Sequence, residues 1–140
     1  MQDINIDDFY HDIASTLLTL YQQFPRKISL YIEDICGPDE MDEFGLHSNR
    51  YLSCIGAITW LFDEGYIRYK DISHLETAEE CTLTKTALVK LIKPTHLTNK
   101  QNQVKSVQKQ RSTLAQQLHD AIKEKNGMAL RELIEQNLIN

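Results

Sequence analysis

The chain has 140 residues, of which 41% are apolar, and a formal net charge of −5. That length fits one domain with an appendage, large enough to bury a core without crosslinks. No run approaches the roughly 18 apolar residues of a membrane span, and the acidic start Met1 to Asp8 lacks the basic and apolar regions of a signal peptide, so a cytoplasmic protein with no membrane partner is expected.

Asp7 or Asp8 is suited to cap a first helix, on which Phe9, Ile13, Leu17, Leu20 and Phe24 recur on one face until Pro25 stops it. Ile28, Leu30 and Ile32 alternate as in a short strand, and Ser29 offers a competing helix cap; a brief strand leading into a short helix is expected. Gly37-Pro38 then breaks the chain before an acidic loop, Asp39 to Gly45. Ser48 or Asn49 caps the next helix, with Leu52, Ile55, Ile58 and Phe62 on one face and Gly65 at its close. Tyr66 to Tyr69 reads as a strand, Lys70 to Glu80 as a polar acidic stretch, and Cys81 to Thr84 as a second strand. Thr84 caps a helix running to about Lys93, before Pro94. Residues 95–103 read as a linker, followed by a long polar helix from about Val104 to Asn126 with Val107, Leu114, Leu118 and Ile122 as its sparse stripe. Beyond Gly127, a last helix carries Leu130, Leu133, Ile134 and Leu138.

The segment Leu61-Phe62-Asp63-Glu64-Gly65-Tyr66-Ile67, followed by Cys81-Thr82-Leu83-Thr84, resembles the winged-helix superfamily, in particular regulators of the MarR and PadR kind. The resemblance covers about residues 8–94 and departs from the common pattern at Ala87, where a glycine often stands. It implies a mainly α (α+β) fold, a winged helix-turn-helix-like domain (1–94) with a small β-wing, followed by a linker and C-terminal helical extension (95–140). It also implies that helix 48–64 and wing 70–80 are the DNA-reading parts. Arg50 is the only cation on that helix, and the wing sets Asp71, Glu76, Glu79 and Glu80 against Lys70. Carboxylates at those places repel phosphates.

Charge divides unevenly. Residues 1–80 hold sixteen acids and five bases, and residues 81–140 hold four acids and ten bases. Lys85, Lys90, Lys93, Lys100, Lys105, Lys109 and Arg111 occur with no acid among them, a stripe suited either to phosphates or to packing on the acidic body. Cys36, Cys54 and Cys81 lack paired spacing and read as buried thiols. His11, His47, His74, His96 and His119 form no zinc spacing, and no phosphate loop or nucleophile motif occurs, so neither a cofactor, a metal nor enzyme activity is expected.

Two functions compete on this sequence. One is a non-catalytic regulatory or protein-interaction module that meets a basic protein partner through Asp39, Glu40, Asp42 and Glu43. The other is a transcriptional regulator that binds double-stranded DNA through Arg50, Lys100, Lys105, Lys109 and Arg111, as a homodimer through its C-terminal helices. The acidic front half favours the first.

Overall fold

The stripe of Ile13, Leu17 and Leu20 recurs at helical spacing and is buried along α1 (Ile4–Gln23). The computed structural model describes residues 3–95 and 113–139. After α1 come β1 (Ile28–Tyr31), α2 (Ile32–Cys36), α3 (Asn49–Asp63), β2 (Ile67–Arg68), β3 (Asp71–Ser73), β4 (Thr77–Leu83) and α4 (Lys85–Ile92). Two further helices, α5 (Leu114–Lys123) and α6 (Gly127–Asn137), complete the described chain. The architecture is α+β: helices around a small antiparallel sheet whose order is β1-β4-β2, with β3 also pairing β4. Among the described residues, no helix is long and apolar enough to cross a membrane.

Local chemistry sets most boundaries. The Ser48 hydroxyl accepts the Tyr51 amide at the start of α3, and Thr84 accepts the Ala87 amide at the start of α4. Gly65, at φ 78°, takes the left-handed conformation that lets the chain leave α3 for β2. Helix α1 begins a turn earlier than Asp7 or Asp8 would set it. The Asp3 carbonyl accepts the Ile6 and Asp7 amides, so backbone bonds extend the helix and Asp7 lies inside its first turn.

The polar acidic stretch 70–80 forms a β-hairpin, where a small β-wing is expected. Strand β4 starts at Thr77, four residues before Cys81. Its pattern hides in sequence because a bulge breaks the alternation: opposite Ile28 and Leu30 of β1 stand Cys81 and Ala78, so β4 advances three residues where β1 advances two. Glu80 adopts φ 53° in that bulge, and buried Ala78 and Cys81 lie three apart. The hairpin turns through His74 and Leu75, at φ 53° and 57°, with the Glu76 amide donating to the Ser73 carbonyl at 2.9 Å. Two successive left-handed residues make a type I′ turn, which favours Asn-Gly. Replacing His74-Leu75 by Asn-Gly is expected to raise stability by about 1 kcal/mol, since left-handed backbone costs side-chain-bearing residues about that much each. Urea titration checks it; a loss of stability contradicts the turn assignment.

The C-terminal helices share the same core. Leu114, Leu118, Leu133 and Ile134 are fully buried with Ile13 and Leu17. Helix α5 packs on α1, α4 and α6. The Tyr66 hydroxyl donates to the Leu138 carbonyl, and the Tyr10 hydroxyl to Glu135 at 3.0 Å. The apolar stripe of α5 is therefore covered within one chain. Thr113 caps α5 by accepting the Gln116 amide, which starts this helix at Leu114; the stretch from about Val104 to residue 112, expected to be helical, lies outside the described residues. Val107 and nearly all of the expected linker lie outside the described residues.

Candidate functional site

One buried ion pair joins the two helices that frame the acidic end of the molecule. Asp12 on α1 is fully buried, and both its oxygens accept from the Arg50 guanidinium at 2.7 Å. The Arg50 Nε also lies 3.7 Å from Asp8, and His11 Nδ1 lies 3.1 Å from Asp12. Burial pushes the Asp12 carboxyl up, but the hydrogen bonds from Arg50 and His11 outweigh it and hold it below the usual value. The hydrogen bond to Asp12 raises the already high pKa of Arg50. Arg50, the one cation on α3, thus holds α1 to α3.

The acidic loop is fastened beside this pair. Asp39 accepts from the Ser48 amide at 3.1 Å and the Ser48 hydroxyl at 2.8 Å, and bonds to His47 Nδ1. The His47 ring stacks on Tyr51, with centroids 4.4 Å apart and planes 15° from parallel. Asp42 accepts from the Phe44 and Leu46 amides at 2.9 Å, folding the loop tip. Two of the four loop carboxylates therefore shape the loop. Glu40 and Glu43 are exposed, with no partner among the described residues. The Ser48 hydroxyl is spent on Asp39 and the Tyr51 amide, so it stands as a clamp in this Asp-His-Ser group.

Asp39 is held low as Asp12 is: burial raises it, and the His47 and Ser48 bonds lower it further. A depressed carboxyl contributes stability that is fully present above its unfolded value, near 3.8, and is lost as pH falls through the lower folded value. Stability should hold from about pH 7 to pH 5 on this account and fall below about pH 4. In Asp39→Ala the acid-induced loss should shrink. Urea midpoints across pH check this; an unchanged acid profile in Asp39→Ala contradicts the role given to Asp39.

From Ile28 to Asn49 the chain carries no Lys or Arg. The same segment exposes Tyr31 (54%), Met41 (52%), Phe44 (79%) and Leu46 (63%) alongside Glu33, Asp34, Glu40 and Glu43. Leu52 and Phe62 add exposed apolar surface on α3, where Asn49, Ser53, Gly56 and Asp63 are the other exposed residues. On the hairpin, Asp71, Glu76 and Glu80 are exposed, and Lys70 reaches Glu80 only at 4.0 Å.

The other sequence candidates fall elsewhere. Lys100, Lys105, Lys109 and Arg111 lie outside the described residues. Lys85 and Lys93 are exposed on and just after α4, and Lys90 Nζ donates to the Asn137 carbonyl at 3.4 Å. Burial pushes the Cys81 thiol up to about 12 and raises Cys54 too, which leaves both as small apolar groups. Among the described residues, no group of three or more His, Cys, Asp or Glu is arranged to hold a metal ion.

Sequence reasoning missed Asp12. Its signal was position: three residues after Phe9 and next to Ile13, it borders the apolar stripe, where a carboxylate needs a partner. It also missed Tyr31, Glu33, Asp34 and Glu76, which only the fold brings together. Comparison of the chain with protein-family models, with curated proteins and with solved structures found no match in any of the three.

Proposed function

We propose that this protein is a non-catalytic interaction module of winged-helix-like build whose acidic, partly apolar end docks a basic, amphipathic protein segment. The observation that carries the reading is the run from Ile28 to Asn49: exposed large apolar side chains stand among the exposed carboxylates of Glu33, Asp34, Glu40 and Glu43, with no Lys or Arg between them. Apolar patches rimmed by one sign of charge suit a partner of opposite charge, which gains area from the patch and orientation from the rim. The winged-helix reading draws support from the order helix, strand, helix, helix, strand and hairpin, and from Gly65 closing α3.

DNA reading is the weaker alternative. The exposed positions of α3 carry no Lys or Arg, and Arg50 is engaged by Asp12. Groove contacts and phosphate contacts both need donors there.

Calorimetric titration with a short amphipathic peptide of Leu, Lys and Arg tests the proposal. Binding should weaken as salt rises, and Glu40→Lys with Glu43→Lys should reduce it about tenfold, because close like charges oppose association. Those two positions are chosen because Asp39 and Asp42 hold the loop. Equal binding of a Leu/Glu control peptide, or no response to the charge reversal, overturns the reading.

A further inference from the structure

A cavity of about 300 Å³ opens within this acidic end, lined by Tyr31, Glu33, Asp34, Met41, His47, Tyr51 and Glu76. Its size is at the small end of ligand pockets, suited to one side chain rather than a large cofactor. Three separate parts of the chain build it: the junction of β1 and α2, the loop before α3 with the first turn of α3, and the turn of the β3–β4 hairpin. The pieces are bonded to one another. The Tyr51 hydroxyl donates to the Leu75 carbonyl in the hairpin turn, and the Ile32 amide donates to the Glu76 carbonyl at 2.9 Å.

The lining has two kinds of surface. One wall is aromatic: His47 stacked on Tyr51, with the half-exposed Tyr31 ring and the Met41 thioether also bordering the space. The rest is carboxylate. Glu33 Oε1 accepts the Asp39 amide at 3.4 Å, while its Oε2, Asp34 and the Glu76 side chain have no partner among the described residues. No Lys or Arg lines the space. The negative field is felt by Tyr51: burial raises its hydroxyl pKa, and Glu33, Glu76 and Asp39 raise it further.

We propose that this cavity receives the guanidinium of an arginine side chain presented by the partner segment, held by Glu33, Asp34 and Glu76 and stacked against the aromatic wall. The proposal rests on the reading of this end as a partner surface. Arginine fits better than lysine because its planar, weakly hydrated head stacks on rings and bonds two carboxylates at once, whereas an ammonium keeps its water. Rings add attraction for a cation placed over them.

The test is titration of the isotope-labelled full chain with a blocked Gly-Arg-Gly peptide, followed by amide NMR, beside Gly-Lys-Gly and Gly-citrulline-Gly. The arginine peptide should shift the amides of Tyr31, Glu33, Tyr51 and Glu76 saturably in the millimolar range, with lysine weaker and citrulline without effect. Glu33→Gln with Glu76→Gln should weaken binding about tenfold, and Tyr31→Leu about threefold, in chains whose other resonances are unmoved. Shifts that never saturate, that spread over Glu40 and Glu43 alike, or that citrulline reproduces overturn the proposal. If the cavity stays silent while the amphipathic peptide still binds and answers to Glu40 and Glu43, the pocket fails alone. If neither peptide binds, the docking reading fails with it.

Discussion

Arg50→Met is expected to lower the unfolding free energy by about 3–5 kcal/mol, the cost of leaving one member of a buried pair without the other. The effect is large because the two residues are unequal. Arg50 is partly exposed, but the Asp12 side chain has no solvent access, and among the described residues the one other side chain within salt-bridge reach of it is the His11 imidazole. Methionine keeps much of the aliphatic packing and removes the charge. The pH dependence should invert with it. In the native chain the Asp12 carboxyl is held low, so its contribution disappears as pH falls through the folded value. Without the guanidinium, burial dominates and the folded value rises above the unfolded one. The variant should then gain stability as pH falls from about 7 toward 5, where the native chain gains none. Adding Asp12→Leu should recover most of the loss, since a buried pair replaced whole by apolar groups is often neutral. A loss under about 1 kcal/mol for Arg50→Met would show that the pair does not hold α1 to α3.

Leu118→Ala carries the second large effect, about 2–5 kcal/mol, from lost burial and the cavity left behind. Leu118 is fully buried in the core that holds Ile13, Leu17 and Leu91. Calorimetry should therefore show the whole chain melting in one transition displaced downward by roughly 10 °C. A main transition left in place, with a small one split from it, would mean that α5 and α6 fold apart from the body. The same helices bury Leu114, Leu133 and Ile134 inside the chain.

The fold was legible where one residue decides a local event. Ser48 and Thr84 as caps, Gly65 after α3, and the strand-then-helix step at Tyr31–Ile32 all follow from side-chain chemistry within a few positions. It was illegible where pairing over distance decides. The Glu80 bulge removes the period-two signal of β4, and the residues that pair with β3 to make it a strand lie four to eight positions away. The site divides in the same way. The acidic run 39–43 stands out in sequence, but its carboxylates look equivalent there. Only the folded chain separates Asp39 and Asp42, bonded to neighbouring amides, from Glu40 and Glu43, which face solvent. Arg50 is the sharpest case: as the lone cation on α3 it reads as a phosphate contact, yet its partner lies 38 positions away, at Asp12.

The central claim is that this chain's acidic, apolar end binds a cation-bearing protein segment. Fluorescence anisotropy of a labelled Leu/Lys/Arg amphipathic peptide and of a labelled DNA duplex, each titrated with the full chain at low and then rising salt, tests it most directly. The account predicts saturable peptide binding that weakens with salt, and no rise in anisotropy for the duplex at any salt. A bound duplex with a free peptide would contradict it.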